Sequence, residues 1–97
     1  LAQVIYSENA PTNLECLFNF LLAQDPATAM AATTAITSAV DTLGAHPLIG
    51  RCIEGDIREL IVSYGKSGHV ALYRFVPARD QVRILAIRHQ LELDYPA

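Results

Sequence analysis

Ile57-Arg58-Glu59-Leu60-Ile61-Val62-Ser63-Tyr64, Gly65-Lys66-Ser67-Gly68, His69-Val70-Ala71-Leu72-Tyr73-Arg74-Phe75-Val76, Pro77-Ala78-Arg79-Asp80 and Gln81-Val82-Arg83-Ile84-Leu85-Ala86-Ile87-Arg88-His89 are consecutive, and together they decide the fold. The first, third and fifth pieces are rich in β-branched and aromatic residues. The second and fourth carry Gly, Pro or Asp, the residues that turns need. The pattern predicts a three-stranded antiparallel meander.

Working back toward the start, His46-Pro47-Leu48-Ile49-Gly50-Arg51 reads as a loop leading into the sheet. Before it lie two helical patterns. Leu14, Leu17, Phe18, Leu21 and Leu22 make one apolar stripe at helical spacing. That helix is expected to start between Ser7 and Thr12, with Thr12 and Glu15 able to form a capping box and Pro11 tolerated in the first turn. Asp25-Pro26 supplies a cap and a first helical residue for the next helix. Its stripe is Ala29, Ala32, Ile36, Val40 and Leu43, ended by Gly44. So short a link makes the pair an antiparallel αα-hairpin. Ala2 to Tyr6 is a short β-prone opening. The expected fold is α+β, a short N-terminal strand and a helical hairpin packed on a three- to four-stranded antiparallel sheet, with residues 1–97 as one domain.

Charge divides the chain. All seven Lys and Arg fall between Arg51 and Arg88, whereas residues 1–50 hold only Glu8, Glu15, Asp25 and Asp41 as charges. From Arg58 to His89 six basic residues face Glu59 and Asp80, a local balance of +4 in a chain of formal net charge −3. This predicts a sheet that meets something anionic. A 52% hydrophobic fraction with 18% charged residues excludes a disordered chain, and leaves enough apolar surface to expect a protein partner. No apolar run approaches the roughly 20 residues that cross a bilayer, so no membrane association is expected. The chain opens at Leu1, so a few native residues are expected to precede it, and no basic-then-apolar leader is read. Cys16 and Cys52 have no metal-ligand spacing and read as free thiols in a reducing cytoplasm.

Pairing Tyr64 with His69 and Val76 with Val82 sorts the strands into two faces. One collects Ile57, Ile61, Val70, Leu72, Val76, Val82, Ile84 and Ala86, expected to be the core. The other collects Arg58, Leu60, Val62, Tyr64, His69, Ala71, Tyr73, Phe75, Arg83, Leu85, Ile87 and His89. In this register Arg58, Phe75 and Arg83 form one row, and Tyr64, His69 and His89 another. Arginine forks beside aromatic faces can grip phosphate or stack on bases. The plainer reading is that they decorate the solvent side of a sheet. Leu60, Val62, Leu85 and Ile87 on that face are expected to be covered by a partner.

Signals of catalysis are sparse. His46, His69 and His89 lack a metalloprotease spacing, Ser63 and Ser67 lack a nucleophile-elbow context, and Gly65-Lys66-Ser67-Gly68 lacks the rest of a phosphate-binding loop. No carboxylate pair suggests metal or acid–base work, and no cofactor is expected.

The order of elements and several residue sets resemble the RelE/ParE superfamily of toxins from type II toxin–antitoxin systems. The sets are the strand to Tyr6, the helical hairpin, Leu43 with Pro47-Leu48-Ile49-Gly50-Arg51, Ile57-Arg58-Glu59-Leu60, Val70-Ala71-Leu72-Tyr73-Arg74 and Ile84-Leu85-Ala86-Ile87-Arg88-His89. The resemblance is closest to the ParE-like branch, the plasmid-stabilisation proteins. It implies a cytoplasmic toxin in a hetero-oligomer with a ParD-like antitoxin, causing growth arrest by poisoning DNA gyrase through protein binding. Arg58, Tyr73, Arg74, Arg83, Arg88 and His89 are the expected target-binding residues, and Leu60, Val62, Leu85 and Ile87 the antitoxin-binding ones. The alternatives are a RelE-like ribosome-dependent mRNA interferase, with Arg58, Arg83 and His89 as catalytic residues, or an inactive remnant that only binds its antitoxin. RelE-like members often add a C-terminal Tyr or His, and the family often carries an Arg shortly after the terminal His; here Gln90-Leu91 follows His89, and Tyr95 stands beyond the sheet.

Overall fold

A computed structural model describes residues 1–64 and 67–89. The elements run β1 (Gln3–Tyr6), α1 (Ala10–Leu22), α2 (Pro26–Asp41), a 3-10 turn (Thr42–Gly44), β2 (Arg51–Glu54), β3 (Ile57–Tyr64), β4 (Ser67–Val76), a second 3-10 turn (Pro77–Arg79) and β5 (Gln81–His89). The core of the Gly65-Lys66-Ser67-Gly68 turn lies outside the described residues, as do Gln90, Leu91 and Tyr95.

The strands form one five-stranded sheet in the order β1-β5-β4-β3-β2. β1 runs parallel to β5 and the other three pairs are antiparallel. The sheet is therefore mixed and one strand wider than expected, because Arg51 opens β2 rather than ending a loop. β2 has four exposed residues and no apolar alternation, and it exists by pairing with β3 across a turn that Gly55 makes at φ +56°.

The helical hairpin forms as its sequence predicts. Asp25 caps α2, accepting from Ala27 N at 3.3 Å and from Thr28 Oγ1 at 2.7 Å, with Pro26 in the first turn. These bonds hold the Asp25 carboxyl below its ordinary value, the Thr28 hydroxyl contributing most. The Thr12–Glu15 capping box is not used. α1 starts at Ala10, within the expected span from Ser7 to Thr12, and Asn9 stands at its cap position without a side-chain bond. Ala29, Ala32, Ile36 and Val40 of the second helix, which carries no charge from Pro26 to Val40, are all buried within the chain. Leu14 and Leu17 of α1 pack against the core, whereas Leu22 and Phe20 are exposed.

The helices cover the opposite face of β3 and β4 from the one expected. The core joins Ile36, Val40 and Leu43 to Val62, Ala71, Tyr73, Val82, Ile84 and Ile87, with Leu60 and Phe75 against its edge. Two register changes accompany this. Val62, not Tyr64, faces His69, a shift of two that leaves the faces intact. Val76 faces Gln81 rather than Val82, a shift of one that persists to Tyr73↔Ile84 and is undone between Leu72 and Tyr73. The residue left over on β5 is Leu85, which makes a bulge. Because of it Val82, Ile84 and Ile87 share the helix-covered face while Arg83, Ala86 and Arg88 point the other way. The start of α1 satisfies the backbone around the bulge. Ser7 N donates to Ile84 O at 2.9 Å, Asn9 N to Leu85 O at 3.1 Å, and Ile87 N to Asn13 Oδ1 at 3.0 Å.

The physical reason for the exchange is charge. Glu59, Arg74, Arg83 and Arg88 all fall on the helix-free face in the observed register. Covering that face with helices would strip several ions of water, a far larger cost than leaving Ile61 53% exposed.

Candidate functional site

The helix-free face of the sheet carries the clustered arginines. Arg51 on β2 sits opposite Glu59 on β3 and forms an ion pair with it; Arg51 is 75% exposed and the Glu59 side chain 8%. Arg74 on β4 donates from Nε to Asp56 Oδ1 at 3.0 Å. Directly across from Arg74 stands Arg83 on β5, whose own neighbour on β1 is Ile5. Arg88 pairs with Val70 farther along the same strands. Among the described side chains no aromatic ring lies on this face. Tyr73 is fully buried under the helices and Phe75 packs against the core beside it.

Arg58 does not belong to that face. It stands opposite Tyr73, on the helix-covered side, and its Nη1 donates to Leu48 O at 3.2 Å and to Gly50 O at 2.8 Å. Tyr73 Oη accepts from Gly50 N at 2.8 Å. Arg58 and Tyr73 thus clamp the 46–50 loop from below and leave Leu48 and Ile49 exposed at its crest. Burial raises the Tyr73 phenol above its ordinary value, and the Gly50 amide and the Arg58 charge oppose that shift.

His69 and His89 face one another across β4 and β5 on the helix-covered side, their rings edge to face with centroids 5.2 Å apart. With Asn13, Cys16 and Phe20 of α1, and with Ile87, they line a half-open cavity of about 430 Å³ at the end of the sheet. Cys16 and Cys52 are exposed free thiols, and Cys52 Sγ donates to Gly55 O at 3.3 Å. No group of three or more His, Cys, Asp or Glu among the described residues is placed to hold a metal ion.

The structure therefore divides the residues that the sequence grouped. Arg74 and Arg83 stand opposite one another on the helix-free face, with Arg88 on the same face farther along β5. Arg58, Tyr73 and His89 lie on the other side, so the row Arg58–Phe75–Arg83 does not exist, nor do Arg58, Arg83 and His89 converge. The row His69–His89 does form, with Val62 as its third member. Val62 and Ile87 are 4% and 5% exposed and Leu60 packs against the core, which removes the reason for expecting a partner over them. Leu85 is the bulged residue. Arg51 was missed as part of the arginine face, although Glu59 eight residues on is the carboxylate it needs once β2 is seen as a strand.

Comparison with known proteins agrees with this architecture. In solved structures the chain is similar to the chromosomal ParDE toxin–antitoxin system from P. aeruginosa, with a TM-score of 0.73 at 20% identity over 91% of this chain and 95% of that one. In sequence it is 40% identical over 83 residues to Toxin RelE3 of Caulobacter vibrioides, which covers 86% of this chain and 88% of the relative. The profile of the family described as ParE toxin of type II toxin-antitoxin system, parDE, matches residues 4–93. With nearly its whole length matched, the chain belongs to the ParE toxin family of type II toxin–antitoxin systems.

Proposed function

We propose that the protein is a cytoplasmic toxin that acts by binding a protein target, DNA gyrase, and that a ParD-like antitoxin holds it inactive in a hetero-oligomer. Target contacts are assigned to Arg74, Arg83 and Arg88. The observation that carries this reading is the separation of chemistries by the sheet. Cleaving RNA needs a base, an acid and charge stabilisation at one place, the proton-transfer groups alone contributing about 10²–10⁴-fold. Here the arginines are on one face and both described sheet histidines on the other, while the carboxylates bonded to arginines of that face are taken up in ion pairs, Asp56 with Arg74 and Glu59 with Arg51.

The runner-up is a ribosome-dependent mRNA interferase, favoured by the 40% identity to a relative named Toxin RelE3. In it the same arginines would neutralise phosphate charge. Purified protein added to gyrase supercoiling and ribosomal translation assays separates the two. Blocked supercoiling with normal translation is expected. Discrete mRNA cuts by primer extension, lost in His89→Ala, would overturn the gyrase reading, and silence in both assays would leave only antitoxin binding.

A further inference from the structure

The most unusual feature of the helix-free face is a like-charge pair. Arg74 and Arg83 are directly opposite one another on adjacent strands, an arrangement that is unfavourable in isolation. Asp56 relieves it only in part. It accepts from Arg74 Nε, and among the described residues it bonds neither the terminal nitrogens of Arg74 nor Arg83. Arg83 Nε is itself buried without a hydrogen-bond partner. Two arginines opposite one another on neighbouring strands, with a carboxylate bonded to only one of them, leave a place for a second anion.

The surroundings say what kind. Reading across the sheet, one row is Ile5–Arg83–Arg74–Ile57–Glu54, with a half-buried isoleucine on either side of the arginine pair and the exposed Glu54 at the β2 edge. The next row along the strands contains Arg51, Glu59, Leu72 and Ala86, and the one beyond it Ile61, Val70 and Arg88. The face thus mixes arginine forks with aliphatic side chains. It has no described aromatic ring on which a base would stack, and stacking is what single-stranded nucleic acid uses on a sheet. A carboxylate meets an arginine fork through two parallel bonds, and its aliphatic neighbours on an extended chain would meet the isoleucines.

We propose that Arg74 and Arg83 form a seat for a carboxylate carried on an extended, acidic and aliphatic segment of a protein partner. The inference rests on the protein-binding reading and gives that partner its chemistry.

The test is a titration of isotope-labelled full-length protein with the peptide acetyl-Val-Glu-Val-Asp-Val-amide, followed at the arginine Nε–H and isoleucine methyl resonances. Arg83 Nε–H and the Ile5 and Ile57 methyls should shift together. Affinity should fall at least about fivefold in Arg83→Gln and stay within about twofold in Arg79→Gln, whose side chain lies on the exposed 3-10 turn. Arg83→Lys, which keeps charge but not the fork, should be weakened as well. The matched peptide with Gln and Asn in place of Glu and Asp should not bind.

Equal affinity in wild type and Arg83→Gln would overturn the proposal, as would shifts confined to the helical hairpin. Tighter binding of oligouridine at the same resonances would reassign the seat to nucleic acid. Displacement of the Arg83 resonance in a full-length Glu92→Gln, Asp94→Asn variant without peptide would give it to the chain's own end. Gyrase inhibition without peptide binding sinks the seat alone, and peptide binding without gyrase inhibition sinks only the gyrase reading.

Discussion

Asn13 on α1 and Ile87 on β5 are 74 positions apart in the chain and joined by one hydrogen bond, Ile87 N donating to Asn13 Oδ1 at 3.0 Å. The bulge at Leu85 is what brings that amide under α1, and the bond fixes the helix to the strand where the side-chain alternation changes phase. Asn13→Ala leaves a half-buried amide without an acceptor and should cost about 1–3 kcal/mol in urea unfolding, while Asn13→Asp, which keeps the oxygen, should cost less. Equal stability of all three proteins would show that water replaces the side chain there.

Arg58→Ala is expected to destabilise the fold rather than spare it. An arginine on a solvent-facing sheet surface contributes about 1 kcal/mol or less. This one bonds two carbonyls of the 46–50 loop, Leu48 O and Gly50 O, and charged donors of this kind are each worth about 1.5–3 kcal/mol. Amide exchange at Ile49 and Gly50 should accelerate with it. Unchanged exchange and an unchanged midpoint would mean that Tyr73 holds the loop alone.

Gly50 is where the loop tolerates no side chain. A Cβ at this position would lie 2.5 Å from Tyr73 Oη and 2.7 Å from Glu59 O, and the second contact is backbone that cannot move aside. Gly50→Ala should therefore lose several kcal/mol, on the order of 3, and Tyr73→Phe in the same chain should recover part of it by removing the hydroxyl. A soluble Gly50→Ala protein with wild-type melting behaviour would contradict the clamp.

Alkaline pH should weaken the protein through two tyrosines. Burial raises both Tyr6 and Tyr73 above the ordinary phenol value of 10.0. The folded state then holds these protons more tightly than the unfolded chain. The stability they contribute is complete below 10.0 and is lost as pH rises through that value toward the raised ones. Urea midpoints compared at about pH 8 and about pH 11 should fall in the wild type, and fall less in Tyr6→Phe. An identical fall in both would remove Tyr6 from the account.

Arg83→Ala and Arg88→Ala should both reduce growth arrest on induction without antitoxin. Their stabilities should differ in a way that separates binding from folding. Arg88 is exposed and its loss should move the midpoint by no more than about 1 kcal/mol. Loss of Arg83 removes a like-charged neighbour of Arg74 and a buried donor without a partner, so that variant should be as stable as the wild type or more so. Loss of arrest accompanied by unfolding would make either arginine structural.

Local pattern was enough for the helices, for Asp25-Pro26 as their junction, for three of the five strands and for the concentration of arginine on the sheet, because caps, helical spacing and turn residues act within a few positions. The open strand β1 was read as well, but not that it would lie parallel to β5. Tertiary structure alone decided which face the helices cover. Both faces of β4 are apolar, Val70, Leu72 and Val76 on one side and Ala71, Tyr73 and Phe75 on the other, so alternation could not choose between them. Charge could have chosen on β3 and β4, since Glu59 and Arg74 share a face with Val70 and Leu72. On β5 even that signal needs the bulge at Leu85, whose freed backbone groups are taken up by Asn9 and Asn13, brought in by the packed α1. A single inserted residue reverses every side chain beyond it, and the partners that stabilise this one lie more than seventy residues away in sequence.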